Sequence, residues 1–228
     1  GGPGGATLTS TGPVLARALE EGEWSALTEA SFIVGTPATS ENLVVSEIYY
    51  NPPGSLETTE FIELMNSSPT ETIDLTGVTL TGVSYAFPEG FTLAPLARVV
   101  IVKDQVAFAA AYTTAGMNIA PGDFGGTNLA NGGEEIQLLD DVGENVLEFS
   151  FEDSWYSVSD GAGYSLQIRD PLGSVEDWGS PSSWAPSARP GGSPASTGEP
   201  HGMTFAIWKE AHYDVVSASD PNRSGAVL

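Results

Sequence analysis

Between residues 43 and 194 the chain alternates short apolar runs with Gly/Pro/Asn clusters, and this rhythm leaves little choice of fold. "LVVSEIYY" (43–50) stops at "NPPG" (51–54), a strong turn signal, and "EFIELMN" (60–66) follows. "IDLTGVTLTG", "SYAFPEG", "ARVVIVKD", "EEIQLLDDVGENVLEFSF" and "GYSLQIRD" repeat the pattern. Asp141-Val142-Gly143-Glu144 lies between two alternating runs and reads as a hairpin turn. Many short strands with turns at close intervals predict an all-β sandwich or barrel. The helix expected here covers residues 105–112, "QVAFAAAY", with Asp104 as its N-cap.

The strands carry carboxylates where apolar residues are expected. In a strand, alternate side chains share a face, so Phe61, Glu63 and Met65 lie together, opposite Glu60, Ile62, Leu64 and Asn66. Glu63 is therefore flanked by two large apolar residues, and Glu47 is flanked in the same way by Val45 and Tyr49. A charge in such a place needs a partner. The plainer reading is hydrogen bonding to turn backbone around 51–54 or 66–68, since buried polar groups are normally satisfied. The sharper reading pairs strands 43–50 and 60–66 and lets Glu47 and Glu63 share a calcium ion, with Asp160 as a further ligand and Glu134 as another candidate.

Charge and composition exclude several function classes. Lys plus Arg number 7 against 30 for Asp plus Glu, a formal charge of −23 that repels phosphate backbones and anionic membrane surfaces. With 0 cysteines there is no disulfide, thiolate nucleophile or cysteine metal site. At 40% hydrophobic residues the chain can bury a core, and no apolar run reaches the length of a membrane-spanning helix. The opening "GGPGGATLTS" reads as a start inside a longer protein.

Catalytic signatures are weak. The 2 histidines, His201 and His212, fall in a linker-like stretch and on an expected terminal helix. There is no Gly-x-Ser-x-Gly elbow, no His-Glu-x-x-His pair and no phosphate loop with lysine. A glycosidase needs two carboxyl groups at a set separation across a sugar cleft. Among 30 acidic residues, chance pairs are common, so Glu47 and Glu63 do not indicate one. Of the later aromatics, Trp155, Tyr156, Trp178 and Trp184, the Trp178 side chain sits in a loop-like stretch, "SVEDWGSPSSW", and is expected to be the exposed one. An exposed tryptophan suits stacking on a sugar ring.

Several separated motifs together resemble a known family. "LVVSEIYYNPPGS" with "EFIELMNSSPTETIDLTGVTL", "FPEGFTLAPLARVVIVKD", "GGTNLANGGEEIQLLDDVGENVLEFSF", "DGAGYSLQIRD", "SWAPSA" and "RPGGSP" follow the order of a bacterial lamin-tail domain across residues 43–194. The resemblance implies an immunoglobulin-like β-sandwich with no catalytic residues, used as an accessory module in large exported proteins. In residues 1–36 the local pattern leaves short strands around a turn at 20–23 competing with a helix over 14–21. "LARALEEGEWSALTEASFIV" resembles the final strands of an Ig-like module related to chitobiase C-terminal domains, which favours strands.

The expected organisation is thus the end of an Ig-like module (1–36), a linker (37–42), the sandwich (43–194), a Pro/Gly/Ser linker (195–202), and a short helix and tail (203–228). The expected function is a non-catalytic accessory module, secreted or at the bacterial cell surface, serving adhesion, spacing or protein contact. A carbohydrate-binding accessory domain for a neighbouring hydrolase is the alternative. Partners would be a surface protein or polysaccharide, not nucleic acid and not a membrane interior. Unpaired strands at the ends would favour strand-mediated self-association.

Overall fold

The computed structural model describes residue 8 and residues 12–32 and 35–196. The expected helix and tail at 203–228, and most of the linker before them, lie outside the described residues.

The N-terminal stretch forms strands rather than a helix. β1 (Gly12–Ala16) pairs antiparallel with β4 (Thr28–Phe32), and between them β2 (Leu19–Glu20) pairs with β3 (Glu23–Trp24) across a turn at Glu21 and Gly22. The Arg17 guanidinium lies 4.2 Å from the Trp24 ring centroid. Leu15, Leu19, Trp24, Leu27 and Phe32 are nonetheless exposed. Thr36–Pro37 (β5), expected as the edge of a linker, pairs in parallel with Ile73–Asp74.

Downstream the strands run β6 (Leu43–Tyr49), β7 (Phe61–Asn66), β8 (Ile73–Asp74), β9 (Thr79–Thr81), β10 (Tyr85–Ala86), β11 (Thr92–Leu93) and β12 (Arg98–Val102). Helix α1 (Gln105–Ala111) follows, then β13 (Gly133–Leu139), β14 (Asn145–Glu152), β15 (Leu166–Ile168) and β16 (Trp184–Pro186). One sheet has the antiparallel order β12-β7-β6-β15-β16. A second has the order β10-β9-β13-β14, and a third the order β11-β8-β5. The hairpin turn read at 141–144 joins β13 to β14, where the Asp140 carboxylate accepts from the Val142 and Glu144 amides.

Alternation then sorts the apolar residues into two cores. Leu43, Val45, Ile62, Leu64, Val99 and Ile101 of the five-stranded sheet pack with Leu80, Ile136, Leu138, Leu147, Phe149 and Phe151 of the four-stranded sheet. This is the interior of a β-sandwich. The other face of the five-stranded sheet is also covered. There Tyr49, Phe61, Val100, Val102 and Phe108 form a second, smaller cluster, joined by Tyr112, Ile119 and Ala195. The cover comes from α1, whose first turn Asp104 caps by accepting from the Val106 and Ala107 amides at 2.8 and 2.9 Å, and from the segment ending at Ala195. Glu47 and Glu63 lie under that cover. No described helix is long and apolar enough to cross a membrane.

Candidate functional site

The strand pairing anticipated from the sequence brings the two carboxylates together. Glu47 of β6 stands opposite Glu63 of β7, and a register shift between Val45 and Glu47 leaves Ser46 as an extra residue. That bulge re-aims a side chain, as bulges commonly do. The Ser46 hydroxyl donates to Glu63 Oε1 at 2.6 Å, and its residue is buried. The Arg98 guanidinium, on the neighbouring β12, reaches the same oxygen at 2.5 Å. Glu63 Oε2 accepts the Ala195 amide at 2.5 Å.

Glu47 has a different set of donors, all uncharged. Its Oε1 accepts the Ser165 hydroxyl at 2.5 Å and the Ser193 amide at 2.8 Å, while Oε2 accepts the Ser193 hydroxyl at 3.3 Å. Burial, and then the neighbouring Glu63 charge, push the Glu47 carboxyl up to about 7. Burial raises Glu63 as well, but the Arg98 charge and the Ser46 and Ala195 donors oppose it. Of the two, Glu63 holds the charge.

Residues 191–195 therefore form a strap fastened by two adjacent carboxylates. The Gly191 carbonyl accepts the Tyr112 hydroxyl at 2.8 Å, and its amide donates to the Gly163 carbonyl at 2.7 Å. Ser193 Oγ also accepts from the Gln167 side chain. Gly192 lies so close that a Cβ there would overlap Glu47 Oε1 and meet Ser165 Oγ at 3.0 Å, and its φ is +70°. Gly192→Ala is expected to cost about 1–3 kcal/mol of unfolding free energy, read by urea denaturation. Gly90→Ala, with nothing within 4 Å of its Cβ and φ +77°, isolates the backbone contribution from that of the overlap.

The plainer reading of the glutamates was right in kind, with a correction of the partner. The donors come from a segment about 130 to 146 residues downstream rather than from the turns at 51–54 or 66–68. The calcium reading is corrected more fully. Asp160 does not join Glu47 and Glu63; it accepts the Asn51 side-chain amide at 2.6 Å in an exposed turn. Glu134 is occupied by the Ala130 amide at 2.8 Å. Among the described residues no group of three or more His, Asp or Glu side chains is placed to hold a metal ion. Millimolar calcium is expected to leave the melting temperature of a chelated sample unchanged, as checked by scanning calorimetry.

Trp178 also requires correction. It is 1% exposed, meets the Phe149 ring edge-on at 5.6 Å and has its carbonyl bound by Trp184 Nε1 at 2.7 Å. The loop-like sequence around it consists of two short 3₁₀ turns that fold the indole inward. Trp184 stacks on Phe149, with Trp155 at 6.5 Å from it, so this group is core.

Two further polar anchors have no counterpart in the sequence reading. Glu60, 1% exposed, pairs with Lys103 Nζ at 2.8 Å and accepts the Leu129 amide at 2.8 Å, tying the ends of β7 and β12 to the segment that leads into β13. Asn66 Nδ2 donates to the carbonyls of Glu71, Leu93 and Ala94, and Oδ1 accepts the Ser68 amide. The available signal for the first was scarcity: among so many carboxylates, each of the few cations is a candidate for an internal pair.

A β-sandwich whose inner acids serve as internal fasteners is the form of an immunoglobulin-like interaction module. The family model of the lamin tail domain matches residues 36–153, just over half of the chain, and the chain belongs to that family. The match begins at β5, so the parallel β5–β8 pair is part of the domain. No curated protein and no solved structure matches the chain.

Proposed function

We propose that this chain is a non-catalytic interaction module of a larger exported bacterial protein, acting in adhesion, spacing or protein contact at the cell surface. Family membership supports the module reading, because lamin tail domains are immunoglobulin-like and non-enzymatic. The observation that carries it further is how the buried acids are used. Glu47, Glu60 and Glu63 each bind backbone amides of distant segments, so they hold the fold together instead of facing a substrate.

The N-terminal hairpin is the contact element in this proposal. A two-stranded ribbon is marginal alone in water, and this one exposes five large apolar side chains. That supports its being the end of a preceding Ig-like module. The carbohydrate-binding alternative loses its expected platform with Trp178 buried. Among the described residues, the exposed aromatics, Trp24 and Phe32, both belong to the hairpin.

The test is surface labelling and attachment. Antibody against the sandwich is expected to label intact bacteria carrying the parent protein, and deletion of 43–194 to reduce attachment to cells or surfaces. Labelling only after permeabilisation would overturn the export reading. Retention of the purified chain on insoluble polysaccharide, lost in Trp24→Ala, would favour the alternative. Turnover of glycosides, esters or peptides that disappears in Glu63→Gln would make the chain an enzyme.

A further inference from the structure

We propose that Glu47 and Glu63 hold one negative charge and one proton between them while residues 192–195 are seated, and that loss of this proton releases the strap. The domain would then carry a latch that acid holds closed and that loosens as pH rises to neutrality.

Charge balance in the buried sheet leads to this arrangement. Two carboxylates, 2% and 0% exposed, lie opposite each other in one strand pair. The cation beside them is Arg98, bound to Glu63; Lys103 is engaged by Glu60. On β15, Gln167 stands directly opposite Glu47, and its Oε1 is buried without a protein donor. A carboxylic acid at Glu47 would remove one of two adjacent buried charges, and burial with the Glu63 charge outweighs the Gln167 side-chain hydrogen bond that favours the ionised form. The remaining groups facing Glu47 do not compete. Ser165 and Ser193 do not titrate, and burial raises Tyr49 on the same strand and Tyr112 at the end of α1 above their ordinary range.

The proton and the strap are linked because the strap helps to keep water from Glu47. Gly192 packs against the carboxylate, and Ser193 covers it with both amide and hydroxyl. Opening the strap hydrates Glu47 and returns its acidity toward 4.5, whereas the seated form holds it near 7. The seated form therefore binds the proton more tightly, and acid favours closure. Gly191, with φ +88°, and Gly192 form a ready hinge between the sheet and the segment that leaves it.

Nuclear magnetic resonance on the intact chain tests both halves of the proposal. The Glu47 side-chain carboxyl carbon is expected to titrate near neutral pH. Protection factors of the Ser193 and Ala195 amides, normalised for intrinsic exchange, should be flat below about 4.5 and fall by up to tenfold per pH unit from there to about 7, where opening releases one proton. Above about 7, where neither form holds the proton, they should level off. The Ile62 and Leu64 amides should not follow. In Glu47→Gln the strap amides should stay protected across the whole range.

Titration of Glu47 in the ordinary carboxylate range would overturn the shared proton. Flat strap protection in the native chain, or an unchanged slope in Glu47→Gln, would overturn the latch. If Glu47→Gln does not fold, the native-chain titration and exchange profile decide the matter.

Discussion

Replacing Arg98 by Met is expected to lower the unfolding free energy by about 3–5 kcal/mol at neutral pH, the usual cost of removing one partner of a buried ion pair. The guanidinium is the counter-charge for Glu63, which is 0% exposed and lies opposite a second buried carboxylate. Methionine keeps much of the apolar stem, so packing against β7 is largely retained and the electrostatic loss dominates. Urea denaturation of the two proteins measures the difference. The deficit should shrink as pH falls, because a proton on Glu63 removes the uncompensated charge. A change below about 1 kcal/mol would mean that Glu63 is already neutral beside Arg98, and the assignment of charge within the pair would be reversed.

The second large effect is on pH dependence. Glu47 has a pKa of 4.5 as a free side chain and about 7 in the fold, so the folded protein binds a proton that the unfolded chain releases across that interval. Such a group stabilises the fold fully below the unfolded value, and the stabilisation is lost as pH rises through the folded one. At 1.36 kcal/mol per unit, the shift corresponds to at most about 3 kcal/mol, an upper limit because an open strap lets Glu47 hydrate. Burial pushes Glu60, Glu63 and Glu134 in the same direction. The melting temperature is therefore expected to be higher at pH 5.5 than at pH 8. Glu47→Gln should flatten much of this difference and stabilise the protein at pH 8, since the amide oxygen can still accept from Ser165 and Ser193. A wild-type profile that rises from pH 5.5 to pH 8 would contradict the placement of the proton.

The two results are separable. Arg98→Met removes a cation and acts at neutral pH, whereas Glu47→Gln removes a proton-binding group and acts mainly above neutrality. Sharing of one network means that their effects should not add, and a double-mutant cycle would give the coupling directly.

Local chemistry made much of the architecture legible. Alternation in "LVVSEIYY" and "EFIELMN" identified two strands, and a turn signal at 141–144 located the β13–β14 hairpin. The bulge at Ser46, however, puts Val45 in the sandwich core and not on the face of Glu47 and Tyr49. Asp104 announced α1 because an N-cap acts on amides two and three residues away. The motifs resembling the lamin-tail family marked the sandwich. Pairing of β6 with β7, considered from the sequence without a register, sets Glu47 opposite Glu63.

What was not legible depended on long separations. The backbone donors to Glu47 and Glu63 are the amides of Ser193 and Ala195, and no periodicity relates a carboxylate to a backbone N–H more than 100 residues away. Trp178 was misplaced for a related reason. A loop composition reports the path of the backbone, while burial of the indole depends on Phe149 and Trp184 arriving from other elements. Residue order and alternation thus determined the strands and, among the described residues, the short helix α1, because those depend on neighbours a few positions apart. Tertiary structure alone decided which buried acid meets a cation, which is left to hold a proton, and that a glycine-hinged segment covers them both, because burial and charge compensation are properties of the assembled sheet.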